Sequence, residues 1–84
     1  MLRVLYFAWI RARVGVAEEE LAPPAGVDRV DRLIDWLAAR GPNYAAALAD
    51  RDAIRVAVNQ DHVGHDHPIG PGDEVALFPP VTGG

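Results

Sequence analysis

Residues 27–40 read VDRVDRLIDWLAAR, with Val30, Leu33, Ile34 and Leu37 at i, i+3, i+4 and i+7. That spacing lines one helical face with apolar side chains, and Asp28 and Asp31 near its start suit the positive end of a helix dipole. Gly41 and Pro42 follow, a pair that reads as a C′ glycine and a proline ending the helix. On either side the period changes. Residues 2–10, LRVLYFAWI, are apolar on both parities, as in a central strand, with Leu2, Val4, Tyr6 and Ala8 on one face and Leu5, Phe7 and Trp9 on the other. Arg11 to Gly15 read as a turn, and residues 17–22 as a strand returning antiparallel despite three consecutive glutamates, which are poor strand formers. Beyond the helix, residues 43–50 are alanine-rich and suit a short helical turn. Residues 53–59, AIRVAVN, alternate, with Ile54, Val56 and Val58 on one face and Arg55, Ala57 and Asn59 on the other. A polar turn at Gln60 and Asp61 leads to a short strand over 62–64. A second turn, over 70–73, leads to a last strand, Glu74 to Phe78, ended by Pro79 and Pro80.

One main helix and four to five strands in the order β, β, α, short helix, β, β, β exclude a doubly wound α/β fold, which needs alternation. The order fits an α+β roll of the β-grasp type, a mixed sheet wrapped on one helix with its first and last strands as parallel central neighbours. The expected core is Val4, Tyr6, Val30, Leu33, Ile34, Leu37, Ile54, Val56, Val58, Val75 and Leu77. Leu5, Phe7, Ala57, Ala76 and Phe78 then face outward as an apolar patch, which on a small domain marks a protein contact.

The composition narrows the chemistry. With 84 residues the chain makes one small domain, here residues 1–78, followed by a tail over 79–84. It has no cysteine, lysine or serine, and Thr82 is its sole threonine, so thiol catalysis, thiolate metal sites and hydroxyl nucleophiles drop out. The eight basic groups are scattered arginines and the net charge is -4, which argues against a nucleic-acid surface. No apolar span long enough for a membrane and no secretory signal is visible, so a cytoplasmic protein is expected. Phosphate-loop, dinucleotide and nucleophile-elbow motifs are missing. His62, His65 and His67 form HxxHxH but bring neither a clear fourth ligand nor a buried supporting shell, so they read as loop histidines and no metal is expected.

The tail carries the strongest signal. Pro79 and Pro80 favour an extended stalk, Val81 and Thr82 follow, and Gly83 and Gly84 lack the Cβ that would keep a backbone from a narrow channel. A single α-carboxylate ends it. Together with DHPIGPGDEV, AVNQ and the opening VLYFAWIRARVG, the segment ALFPPVTGG resembles the small, sulfur-carrier subunits of molybdopterin synthases, over nearly the whole chain.

That resemblance implies a ubiquitin-like domain with no activity alone and no bound cofactor, serving as the sulfur donor in a heteromeric sulfurtransferase. An activating enzyme uses ATP to adenylate the terminal carboxylate, a sulfur donor protein supplies sulfur, and the resulting thiocarboxylate feeds a cyclic pyranopterin precursor inside the large catalytic subunit. Carried over by residue, Gly84 is the modified terminus and Gly83 its spacer. Pro79, Pro80, Val81 and Thr82 line the tail, and Phe7 and Phe78 anchor the partner face. His62 departs from the resemblance, since relatives often place an apolar residue near that face. Alternatives are the sulfur carrier of thiamine biosynthesis, whose members tend to lack FPPVTGG, and a ubiquitin-like modifier joined to target lysines.

Overall fold

The computed structural model describes residues 1–80. Strands β1 (Leu2–Tyr6), β2 (Glu18–Leu21), β3 (Arg55–Val58), β4 (Asp61–Val63) and β5 (Glu74–Phe78) form one sheet in the order β2-β1-β5-β3-β4. The two central strands run parallel in the register Val4↔Val75 and Tyr6↔Leu77, and every other pairing is antiparallel. This is the expected mixed β-grasp sheet with its first and last strands adjacent. Helices α1 (Ala8–Val14), α2 (Val30–Ala38) and α3 (Pro42–Ala47) complete the described fold with a 3-10 turn at Arg51–Ala53.

Alternation sets the faces. Leu2, Val4 and Tyr6 of β1 are buried, as are Val56 and Val58 of β3 and Val75 and Leu77 of β5. They close on Val30, Leu33, Ile34 and Leu37 of α2, the stripe read from the sequence. Each buried aliphatic side chain of this size contributes about 1.5–3 kcal/mol relative to exposure, so this layer drives folding. No polar or charged residue is buried among those described.

Helix α2 begins without a side-chain cap. Its free amides are met by a loop: Val30 N–H donates to the His67 carbonyl at 3.0 Å and Asp31 N–H to the His65 carbonyl at 2.8 Å. The histidine segment thus satisfies a helix terminus that would otherwise leave donors unpaired. The β3–β4 connection is a two-residue turn whose Asn59 and Gln60 both have positive φ, 50° and 71°, matching the right-handed strand twist. Asn59 also clamps the start of β5, donating to Asp73 Oδ1 and accepting from Glu74 N–H, both at 3.0 Å. The bond from Asn59, joined by one from Gly70 N–H, holds the Asp73 carboxyl below its ordinary range.

Two readings of the sequence are corrected. The first strand does not run to residue 10, and residues 11–14 are not a turn. β1 stops at Tyr6, and Ala8–Val14 form α1, with Ile10 and Val14 buried one helical turn apart and Trp9 on the helix rather than on a strand face. Gly15 at φ 99° provides the left-handed C-terminus of that helix, a conformation that favours glycine. Likewise Gly41 is not a left-handed C′ residue after α2. Its backbone is extended and precedes α3, with Pro42 in the first turn where a missing N–H costs nothing.

One polar cluster ties these elements together. Glu19 of β2 accepts from Tyr6 Oη at 2.8 Å, Tyr44 Oη at 2.9 Å and Arg40 at 3.0 Å. Burial opposes ionisation of Glu19, but the three donors outweigh it and the carboxyl sits below its ordinary value of 4.5. A depressed folded pKa stabilises the fold above the unfolded value, and that contribution is lost as pH falls through the folded one. Glu19→Gln should therefore lower stability by about 1.5–3 kcal/mol at pH 7. Because protonation makes the wild type resemble the variant, the gap should narrow at acid pH. Denaturant titrations at pH 7 and pH 3 check this, and a gap of equal size at both contradicts the ionised-Glu19 account.

Candidate functional site

The sheet packs its inner face on the helices and leaves the other open. Along β1 the outward residues are Arg3 and Leu5, along β5 Glu74, Ala76 and Phe78, along β3 Arg55 and Ala57, and on β4 His62. Leu5, Ala76 and Phe78 are half-buried, whereas Ala57, short and central, is 7% exposed. An apolar centre therefore stands where the alternation places it. It has a charged border at the lower end, where Arg3 Nε donates to Glu18 at 2.7 Å.

The upper end of this face is where β5 hands over to the tail. Phe7 N–H donates to the Leu77 carbonyl at 3.1 Å, extending the parallel ladder one residue past β1 and tying the end of that strand to the tail root. Phe7 then caps α1 in an extended conformation and is 47% exposed. The turn into the helix places Ala8 at φ 54°, a left-handed value that costs a residue with a Cβ about 1 kcal/mol or more. Phe78 meets the His62 ring edge-on, with centroids 5.3 Å apart and planes at 65°. Pro79 and Pro80 continue half-buried, outside any regular element. Val81, Thr82, Gly83 and Gly84 lie outside the described residues.

The two phenylalanines singled out from the sequence thus flank the last rung of the central pair, and the two prolines follow directly. The histidines do not converge. His62 lies on the open face, the His65 ring bonds the Ile54 carbonyl at 2.9 Å, and His67 lends its backbone carbonyl to α2. Among the described residues no three His, Cys, Asp or Glu side chains gather as a metal site, and no helix is long and apolar enough to cross a membrane.

Other concavities offer little chemistry. One of about 140 Å³ is lined by Met1, Leu2, Leu21, Pro23, Ile69 and Pro71, at the pole opposite the tail root. A shallower cleft of about 500 Å³ lies beside β3 between Arg51, Arg55, Val63 and His65. Both tyrosine hydroxyls donate to Glu19, and burial followed by that contact raises both above the ordinary tyrosine value, so both are held protonated as hydrogen-bond donors. Arg55 was visible in the sequence as the charged member of an outward row, but its position beside Phe78 depends on the β3–β5 register.

Comparison with known proteins agrees with this fold. The molybdopterin synthase sulfur carrier subunit of Escherichia coli is 46% identical over 84 residues, covering 100% of both chains. That of Haemophilus influenzae is 38% identical, also over 100% of both. Among solved structures, a putative molybdopterin converting factor subunit 1 from Pyrococcus furiosus superposes with a TM-score of 0.77 at 35% identity, covering 95% of this chain and 97% of its own. The ThiS family pattern spans residues 4–84, from Val4 of β1 through the terminal glycines, and the chain belongs to that family.

Proposed function

We propose that this chain is the sulfur carrier of a molybdopterin synthase, with the carboxylate of Gly84 as the carrying group. The observation that carries the reading is the join between β5 and the tail. A strand hydrogen-bonded on both sides ends at Phe78, and Pro79-Pro80-Val81-Thr82-Gly83-Gly84 follows without an intervening loop. The names of two relatives matched over their full length support it.

The chemistry follows from what a carboxylate lacks. Its oxygen is a poor leaving group, so an activating enzyme joins the Gly84 carboxylate to the AMP moiety of ATP and releases pyrophosphate. A sulfur donor protein then delivers sulfur at the sulfide level to the acyl carbon, the C–S bond forms as the C–O bond to AMP breaks, and a thiocarboxylate and AMP result. Its sulfur is a soft nucleophile that attacks a carbon of the cyclic pyranopterin precursor in the large catalytic subunit as an oxygen leaving group departs, and hydrolysis of the acyl C–S bond returns the carboxylate and leaves the sulfur on the precursor. Gly83 and Gly84 let the backbone enter two different pockets with no Cβ to meet the walls, while Pro79 and Pro80 limit the conformations the stalk must lose on entry. Val81 and Thr82 line the same channel. The chain holds no cofactor in this scheme. It supplies the acyl group and the docking face, and the enzymes supply ATP and catalysis.

Absence of lysine, cysteine and serine suits such a carrier, because an activated acyl group meets few nucleophiles on its own chain. Incubation with the activating enzyme, ATP and a sulfur source should exchange one oxygen for sulfur at Gly84. Intact mass spectrometry with fragmentation of the tail checks it, and an unchanged mass with an enzyme shown to be competent contradicts the proposal.

The open face supplies the docking surface, with Phe7 and Phe78 as its anchors. Buried aromatic anchors commonly cost about 2 kcal/mol or more on truncation, roughly 30-fold in affinity. Phe78→Ala should weaken binding to the large subunit by that order and leave the thermal melt of the isolated chain nearly unchanged. A collapsed melt would show that Phe78 belongs to the core instead.

A further inference from the structure

Five of the eight arginines are neutralised within the chain: Arg3 pairs with Glu18, Arg29 with Asp31, Arg32 with Asp28, Arg40 with Glu19 and Arg51 with Asp35. Arg11 and Arg13 lie on α1, where Arg13 sits over the Trp9 ring at 5.1 Å. Arg55, like Arg11 and Arg13, has no ion-pair partner among the described residues, but of these three it is the one on the open sheet face. It is exposed, forms no ion pair and donates no side-chain hydrogen bond among the described residues. Asp52 lines the same shallow cleft and does not pair with it.

Its position gives that lone charge a meaning. Arg55 stands in register with Phe78 on the neighbouring strand and shares the outward row with Ala57, itself opposite Ala76. The His62 ring contacts Phe78 as well. The aromatic at the tail root therefore has Arg55 as its register neighbour and the His62 imidazole in contact, on a chain whose net charge is -4. Adjacent strands lie about 4.8 Å apart, so a protein surface that covers Phe78 also covers Arg55. A purely apolar partner surface there would strip water from an unpaired guanidinium, a penalty that works against the gain from the aromatic contact.

The geometry points to a carboxylate on the large subunit, placed over Arg55 at the edge of the pocket that seats Phe78. This inference rests on the sulfur-carrier reading for the partner's identity, and it adds the contact that selects that partner. Guanidinium and carboxylate match as a planar two-point pair, so the contact fixes the rotation of the docked sheet as well as its affinity, and with it the direction in which the tail leaves. A partner with an apolar pocket but no acid at its edge is rejected by the buried charge, a selection that Phe78 alone cannot make.

The test is calorimetric titration of the full chain with the large subunit from the same source, at low and high salt. Arg55→Met keeps the apolar stem and removes the charge, and Arg55→Glu reverses it. Arg55→Met should bind about 10-fold more weakly with a flatter salt dependence, and Arg55→Glu about 30-fold more weakly or worse. Reversing the partner's acid to arginine should restore binding to Arg55→Glu. Unchanged affinity in Arg55→Glu, or tighter binding by Arg55→Met, overturns the inference and leaves the carrier reading standing. Failure of the wild-type chain to bind the large subunit at all overturns both.

Discussion

The parallel pairing of β1 with β5 is the contact on which the other features depend. It joins the two ends of the described chain in the middle of the sheet, where each strand is bonded on both sides. Parallel strands cannot be joined by a tight turn, so everything between them must act as the crossover. That crossover contains α2, which supplies the inner layer, and β3 and β4, which extend the sheet beyond β5. The Val4↔Val75 register turns both valines inward and so obliges Leu5, Ala76 and Phe78 to face out. The apolar open face is the reverse side of the same alternation that builds the core.

From that pairing comes a division of labour. The domain is closed by interactions that do not use Pro79 or Pro80: the Glu19 cluster under β2, the loop carbonyls on α2, and the Asn59 clamp at the start of β5. At the tail root a single backbone bond, Phe7 N–H to the Leu77 carbonyl, ends the ladder. One residue on, Phe78 still pairs with Arg55 of β3, and β5 ends there. The proposed carrier, whose reactive group visits more than one protein, would use such a fixed platform for recognition and a short glycine-ended arm for threading. On the proposed reading, the side chains around Phe78 give the platform its selectivity and the glycine-ended arm carries the reacting group.

Much of this was legible because burial dominates the pattern. β5 falls on Glu74–Phe78 as the turn and the following prolines imply, and the α2 stripe lies where its period places it. The segment after Tyr6 was misread because LYFAWI is apolar on both parities, and a short apolar run does not distinguish strand from helix. Ile10 and Val14, one helical turn apart and followed by Gly15, were the available signal. Gly41 was read as the end of one helix when it precedes another, since Gly-Pro punctuates either. The Glu19 cluster was hidden for a different reason. Its members come from β1, β2, the segment after α2 and α3, and only the fold brings them together. At the site, Phe7, Phe78 and the prolines follow from alternation and composition, whereas the nearness of Arg55 and His62 to Phe78 needs the strand order.

Reach is the central claim, that a glycine carboxylate at a set distance from a fixed platform performs the transfer. Removing Gly84 leaves a carboxylate of similar chemistry but draws it back by about 3.3 Å, the span of one extended residue. A misplacement of about 1 Å already costs on the order of 100-fold in rate. The decisive measurement is molybdopterin formation by the reconstituted carrier, activating enzyme, sulfur source and large subunit, run on the full chain and on the chain lacking Gly84, with a thermal melt of each. The account predicts lost product with an unaltered melt; product formed by the shortened chain at the full rate would contradict it.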